Sequence, residues 1–447
     1  AIDFMVGASE AAATKMSLSS AGVLSIDTIS EKTSANGVTI DGLLIKDSAV
    51  GAAGTATSVA GIPFYTASSS IYTHDVSGTD STAQFNTAYG LTALDAITTG
   101  DKNIAIGYGA LGASTAVAET VAIGHLAGGT GVGTSGLNVI VGNEAAEAVT
   151  SMSEAVVIGY RAAEANTSGS NIIAIGYQAY DNADTENHNL ALGNNALGGA
   201  VNGGEFNVAI GNYSLDALTS GDDNIAIGYN AGTAISSGYN NTLIGKNAGQ
   251  AITTGARNTF VGYQAGDGFD GETHNVGVGE NALGGPIAGG EYNVAVGSNT
   301  LDAVTSGDGN TAVGYSAGTS INSGGQNTLY GESAGGSITT GAGNVCIGQN
   351  AGNAGTILVS GNNCIYIGQA IRGTGEANNS EIVIGSLNVT GKGGQTAFIN
   401  PDGGTIFNGG NTTAFQQTSD RRIKKNIVDN NIGLEAINKI QVRNFEY

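Results

Sequence analysis

The chain has 447 residues, a formal net charge of −22, 74 glycines, only three prolines and no tryptophan. Such an acidic body repels phosphate backbones and anionic lipid, which argues against nucleic-acid partners and membrane surfaces. The glycines follow no G-X-Y period, so collagen is excluded, and 40% hydrophobic residues exclude a disordered chain. No apolar run approaches the roughly 20 residues that a membrane-spanning helix needs, so no membrane insertion is expected.

Residues 1–80 lie outside any repeat. Around Asn36-Gly37 apolar and polar residues alternate from Ile29 to Asp47, a hairpin signal. This predicts short strands in an N-terminal β stalk, followed by an Ala/Ser/Thr/Gly-rich connector over 50–80.

From about residue 81 to 395 one unit recurs. A glycine preceded by a three-residue apolar strand returns at Gly90, Gly107, Gly124, Gly142, Gly159, Gly176, Gly193, Gly211, Gly228, Gly245, Gly262, Gly279, Gly297, Gly314, Gly331, Gly348, Gly368 and Gly385. The spacing is 17 or 18 residues, with one interval of 20 before Gly368. A fixed period over this length predicts an all-β fold, a parallel β-roll or β-solenoid of about 18 turns. At about 4.8 Å per turn the shaft is roughly 80 Å long.

With the glycine as position 0, positions −3 and −1 are mostly Ile, Val or Leu, as in Ile104/Ile106 and Ile225/Ile227. Position −2, on the other face, is also apolar or small: Ala105, Ala226, Leu243, Phe260, Cys346. The strand therefore reads as buried on both sides. One face fills the coil, and the other calls for cover from further chains. Small residues at −2 suit close approach of backbones around a shared axis, which predicts a homotrimer. A flattened single-chain solenoid with an Ala-covered face fits the same pattern. Position −4 is usually Asn, from Asn103 to Asn344, and stacked amides predict a hydrogen-bonded ladder.

Two cysteines, Cys346 and Cys364, are out of register by two residues and predict separate core thiols. His188 and His274 follow Glu186 and Glu272 at an offset of 86 residues, the signature of duplicated five-turn blocks. They read as copied turn residues rather than ion ligands. Tyr108, Tyr160, Tyr177, Tyr229, Tyr263 and Tyr315 each follow the repeating glycine and read as side chains packing over neighbouring turns. No metal motif, P-loop, serine–histidine–aspartate set or paired glycosidase carboxylates stand out, so no cofactor, no metal and no substrate-directed activity are expected.

The units Asn224-Ile-Ala-Ile-Gly228 and Asn258-Thr-Phe-Val-Gly262-Tyr-Gln-Ala-Gly266 resemble the head repeats of trimeric adhesins. That resemblance implies a β-roll packed as three chains, although those heads repeat at a shorter period. After a connector over 396–418, the stretch Thr418-Ser419-Asp420-Arg421-Arg422-Ile423-Lys424-Lys425-Asn426-Ile427 resembles the start of the intramolecular chaperone domain that ends phage tail fibres and endosialidases. The resemblance implies that residues 419–447 begin a trimerising chaperone that cuts itself off before Ser419. Ser419 and Lys424 would form the reactive dyad, with Asp420 beside them. A lysine can act as base when neighbouring cations lower its pKa, and Arg421, Arg422 and Lys425 are such neighbours. On these ten residues alone, a helix start with Ser419 as N-cap fits as well.

Together these features predict a structural fibre of a virion, such as a phage tail fibre, that attaches to a host cell surface. Its partners would be two further copies of itself, a host receptor (glycan or surface protein), and other tail proteins through the N-terminal region. The alternative is a trimeric adhesin on a bacterial cell surface.

Overall fold

The computed structural model describes residues 70–72, 82–129, 136–286, 288–353 and 358–400, together with short flanking strands at 2–3, 16–18, 24–26, 57–59, 62–67, 406–409 and 416–417. The hairpin signal at Asn36-Gly37 falls outside these residues. The chain divides into two compact units, Ala1–Thr55 and Ala56–Tyr447. In the first, Ile2–Asp3, Met16–Leu18 and Leu24–Ile26 form an antiparallel meander.

The second unit is a parallel β-solenoid. Eighteen strands run from Thr87–Tyr89 to Ile382–Leu387, each paired in parallel with the one before and the one after. The register is one of equivalent residues: Ile225, Ala226 and Ile227 lie against Thr242, Leu243 and Ile244 of the next turn. At the start, Thr57–Val59, Ile62–Ala67 and Ser70–Tyr72 pair antiparallel before Ser70–Tyr72 opens the parallel ladder. At the far end Thr396–Asn400 continues the parallel run and then pairs antiparallel with Ile406–Gly409. Both ends thus finish in antiparallel strands, which interrupt the parallel edge that another coil could extend. Among the described residues there is no α-helix, and no helix is long and apolar enough to cross a membrane.

Each turn needs a sharp corner directly after its strand. Gly228 makes it at φ +138°, and a Cβ there would collide with the carbonyl oxygen of Gly245 in the next turn. Only glycine satisfies both the dihedral angle and that close stacking, which explains why the period is written in glycine.

The interior is filled by Ala, Leu, Ile and Val from positions −2, +3, +4 and +7, as in Ala226, Ala231 and Ile235. Where position −2 is alanine, position +4 is often leucine, as with Ala209 and Leu215 or Ala295 and Leu301. Where position −2 is Leu243, Phe260 or Leu329, position +4 is glycine: a Cβ on Gly266 would run into the Phe260 ring. This interlocking keeps a narrow coil at the density of a protein interior.

The asparagine ladder forms as its spacing predicts. Asn241 Nδ2 donates to Asn224 Oδ1 at 3.0 Å and to the Gly255 carbonyl at 2.8 Å, while Asn241 Oδ1 accepts from the backbone N–H of Asn258 at 3.0 Å. The same pattern runs without a break from Asn189 to Asn344. It is missing where Ala155 and Ile172 occupy the position. There the phenol of Tyr180 donates to the Glu186 carbonyl at 3.0 Å, the bond an asparagine at 172 would make by the same 14-residue rule. Asn166 lies fully buried nearby, with both amide atoms unpaired among the described residues.

Candidate functional site

The outward face of the sheet is the feature that distinguishes this coil. Positions −3 and −1 point out of the coil, and −2 points in, with the middle residue buried in every three-residue strand from Thr87–Tyr89 to Val345–Ile347. This corrects the expectation that the small residues at −2 face a shared axis. Position −2 is most often alanine and fills the narrow interior, with Leu243, Phe260 and Leu329 buried at the same position, while the aliphatics at −3 and −1 are left outside. Ile104 is 40% exposed and Ile225 39%. None of the eighteen turns carries a charged residue at −3 or −1, in a chain of net charge −22.

Nearly all of the large exposed apolar side chains lie on this one face. They occupy positions −3 and −1 and the two flanking columns, −5 (Phe85, Leu137, Phe206, Tyr292) and +1 (Leu91, Tyr108, Tyr160, Tyr177, Tyr229, Tyr263, Tyr315). At about 3.3 Å per residue and 4.8 Å per strand, the uncharged strip from −3 to −1 is about 10 Å wide and 80 Å long, roughly 800 Å², and the flanking columns add single apolar side chains among polar and charged ones. Typical monomers expose patches of a few hundred Å², and a stable interface buries about 800 Å² per partner.

The flanking columns carry rings stacked between turns. Tyr160 stacks on Tyr177 with centroids 5.4 Å apart, and Tyr108 on His125 at 5.4 Å. Lys246 lies 5.9 Å from the ring centres of both Tyr229 and Tyr263. The tyrosines therefore pack over neighbouring turns, as their spacing suggests. His188 stacks on Phe206 and His274 on Tyr292, each at 4.9 Å. The two histidines occupy equivalent surface positions in the duplicated blocks. Cys346 and Cys364 are both buried and free.

The sequence did not point to a role for Glu186 and Glu272. Both are buried, and each holds one of the three 18-residue turns. Glu186 Oε1 accepts from the Gly203 N–H and Glu272 Oε1 from the Gly289 N–H, each at 2.9 Å. The signal was present in the 18-residue intervals and the 86-residue offset, but it attaches a carboxylate to a turn one coil further on.

An acidic groove of about 400 Å³ lies on another side, lined by Glu147, Glu164, Asp181 and Asn182. The carboxylates of Glu144, Glu147 and Glu164 approach within 4.8 Å of one another. Arg161 already supplies positive charge there, 2.6 Å from Glu144 and 3.6 Å from Glu164. Burial raises the carboxyl of Asp181 to about 6, against hydrogen bonds, one of them from Gln178, that favour its charged form. The folded chain thus holds a proton at Asp181 that the unfolded chain releases at lower pH. The associated stability is fully present below the ordinary carboxyl value of 3.8 and is lost as pH rises through about 6. Relative to Asp181→Asn, the wild type should lose about 2 kcal/mol of stability between acidic buffer near that ordinary value and neutral buffer, read by urea unfolding. A constant difference between the two proteins across that range would refute the assignment.

Ser419, Asp420 and Lys424 lie outside the described residues. No protein-family model, no curated protein and no solved structure matches this chain.

Proposed function

We propose that this chain is a structural fibre protein of a virion, a phage tail fibre or similar appendage, that attaches the particle to a host cell surface as a homotrimer. The single observation that carries the reading is the long, uncharged, exposed face at positions −3 and −1. Left in water, so large an apolar strip drives association, and copies of the same chain offer a matching strip of equal length. A stack of near-identical turns supplies reach and stiffness rather than an enclosed cleft, which suits a fibre better than an enzyme. The receptor would be a glycan or surface protein, and the N-terminal region would join the fibre to other tail proteins. The C-terminal segment would act as a trimerisation chaperone released before Ser419 by Ser419 and Lys424.

Native mass spectrometry of a chain extended past Tyr447 tests both parts. Three copies are expected, each cut between Thr418 and Ser419, with the cut abolished in Ser419→Ala. A stable monomer would sink the assembly, and an unchanged cut in Ser419→Ala would sink the self-processing.

A further inference from the structure

The two 18-residue turns that Glu186 and Glu272 hold differ in one residue that matters chemically. The first contains Asn202-Gly203 and its duplicate contains Ala288-Gly289. Their backbones correspond closely. Asn202 N–H donates to the Thr219 carbonyl at 2.6 Å, and Ala288 N–H to the Thr305 carbonyl at 2.7 Å. Gly203 sits at φ +101° and Gly289 at φ +110°, and nothing lies within 4 Å of where a Cβ would stand on either. Asn202 and Gly203 are exposed, and the Asn202 side chain takes no hydrogen bond among the described residues.

We propose that Asn202-Gly203 is a built-in modification site at which Glu186 promotes conversion of Asn202 to aspartate and isoaspartate. Glu186 Oε1, 2.9 Å from the Gly203 nitrogen, takes its proton. The nitrogen attacks the Asn202 side-chain carbonyl carbon and a five-membered imide closes. The side-chain nitrogen leaves as ammonia, carrying the proton that Glu186 took. Solvent water then opens the imide at either carbonyl, giving the normal or the isomerised backbone. Glycine leaves this nitrogen unhindered. The fold keeps Glu186 in position, since it is 5% exposed and its other oxygen accepts from the N–H groups of Asp184 and Thr185, both at 3.1 Å.

The consequence is local and directional. The imide has no N–H for Glu186 to hold, so this bond is lost until hydrolysis restores the N–H. The products add a negative charge. The duplicate turn is immune because Ala288 has no side-chain amide.

The test follows conversion by peptide mass spectrometry on the folded full chain incubated in neutral buffer, with enzymatic methylation to score isoaspartate. Asn202 should convert roughly tenfold or more faster in the wild type than in Glu186→Gln. Because Glu186→Gln also loosens the turn, a second variant decides independently. Ala288→Asn, with Glu272 intact, should gain conversion at position 288 at a rate like that of Asn202, and lose it when Glu272→Gln is added. Equal rates in the wild type and Glu186→Gln, or an intact position 288 in folded Ala288→Asn, would overturn the proposal.

Discussion

Replacing Ile225 and Ile244 together with lysine is expected to turn the proposed trimer into folded monomers. Both side chains lie on the outward face, 39% and 37% exposed, so a lysine at either position points to solvent in a single coil. Strand content by circular dichroism should therefore stay at the wild-type level. In a trimer the same lysines would be buried against apolar neighbours without a partner. An unpaired buried charge costs about 3–5 kcal/mol, so the association constant should fall by at least about 100-fold. Sedimentation would read this as a shift from three copies to one. Persistence of the trimer in the double variant would show that copies associate elsewhere.

The second large effect is expected inside the coil. Asn241→Ala removes a side chain that donates to Asn224 and to the Gly255 carbonyl and accepts from Asn258. The alanine leaves the Gly255 carbonyl and the Asn258 N–H buried and unpaired. With desolvation of about 1–3 kcal/mol for each orphaned group, the loss should reach about 4 kcal/mol in urea unfolding. Ser237→Ala, on the exposed turn of the preceding coil, should change stability by less than about 0.5 kcal/mol. If the two substitutions cost the same, the ladder is ornamental.

The architecture was legible because it is written in positions where only one residue type works. Glycine at position 0 is demanded by a positive φ and by stacking against the next turn, and asparagine at −4 by the need to donate along the coil and accept across it. Such constraints repeat at a fixed interval and show through any single deviation. The orientation of the strand was not legible in the same way. Alternation separates two faces without saying which is inside, and both faces here are apolar. What decides is volume. The interior admits a ring at −2 only where +4 leaves room for it, as Phe260 with Gly266 shows. That correlation spans six residues and escapes a reading of the strand alone. Glu186 was hidden for a related reason, since its partner Gly203 lies 17 residues away. The tail motif at Ser419 belongs to a different kind of evidence, a local resemblance whose geometry lies outside the described residues.

The break in the amide ladder at Ala155 and Ile172 has a further consequence. A coil in which each turn touches only its neighbours behaves as a one-dimensional chain of coupled units. In such a system, cooperativity extends as far as the coupling is uninterrupted. The long run from Asn189 to Asn344 should open as one block, while the turns before it are joined to that block by the backbone ladder and the phenol of Tyr180 without the stacked amides. The coil thus carries a seam about one-third of the way along its length, where local opening is expected to begin.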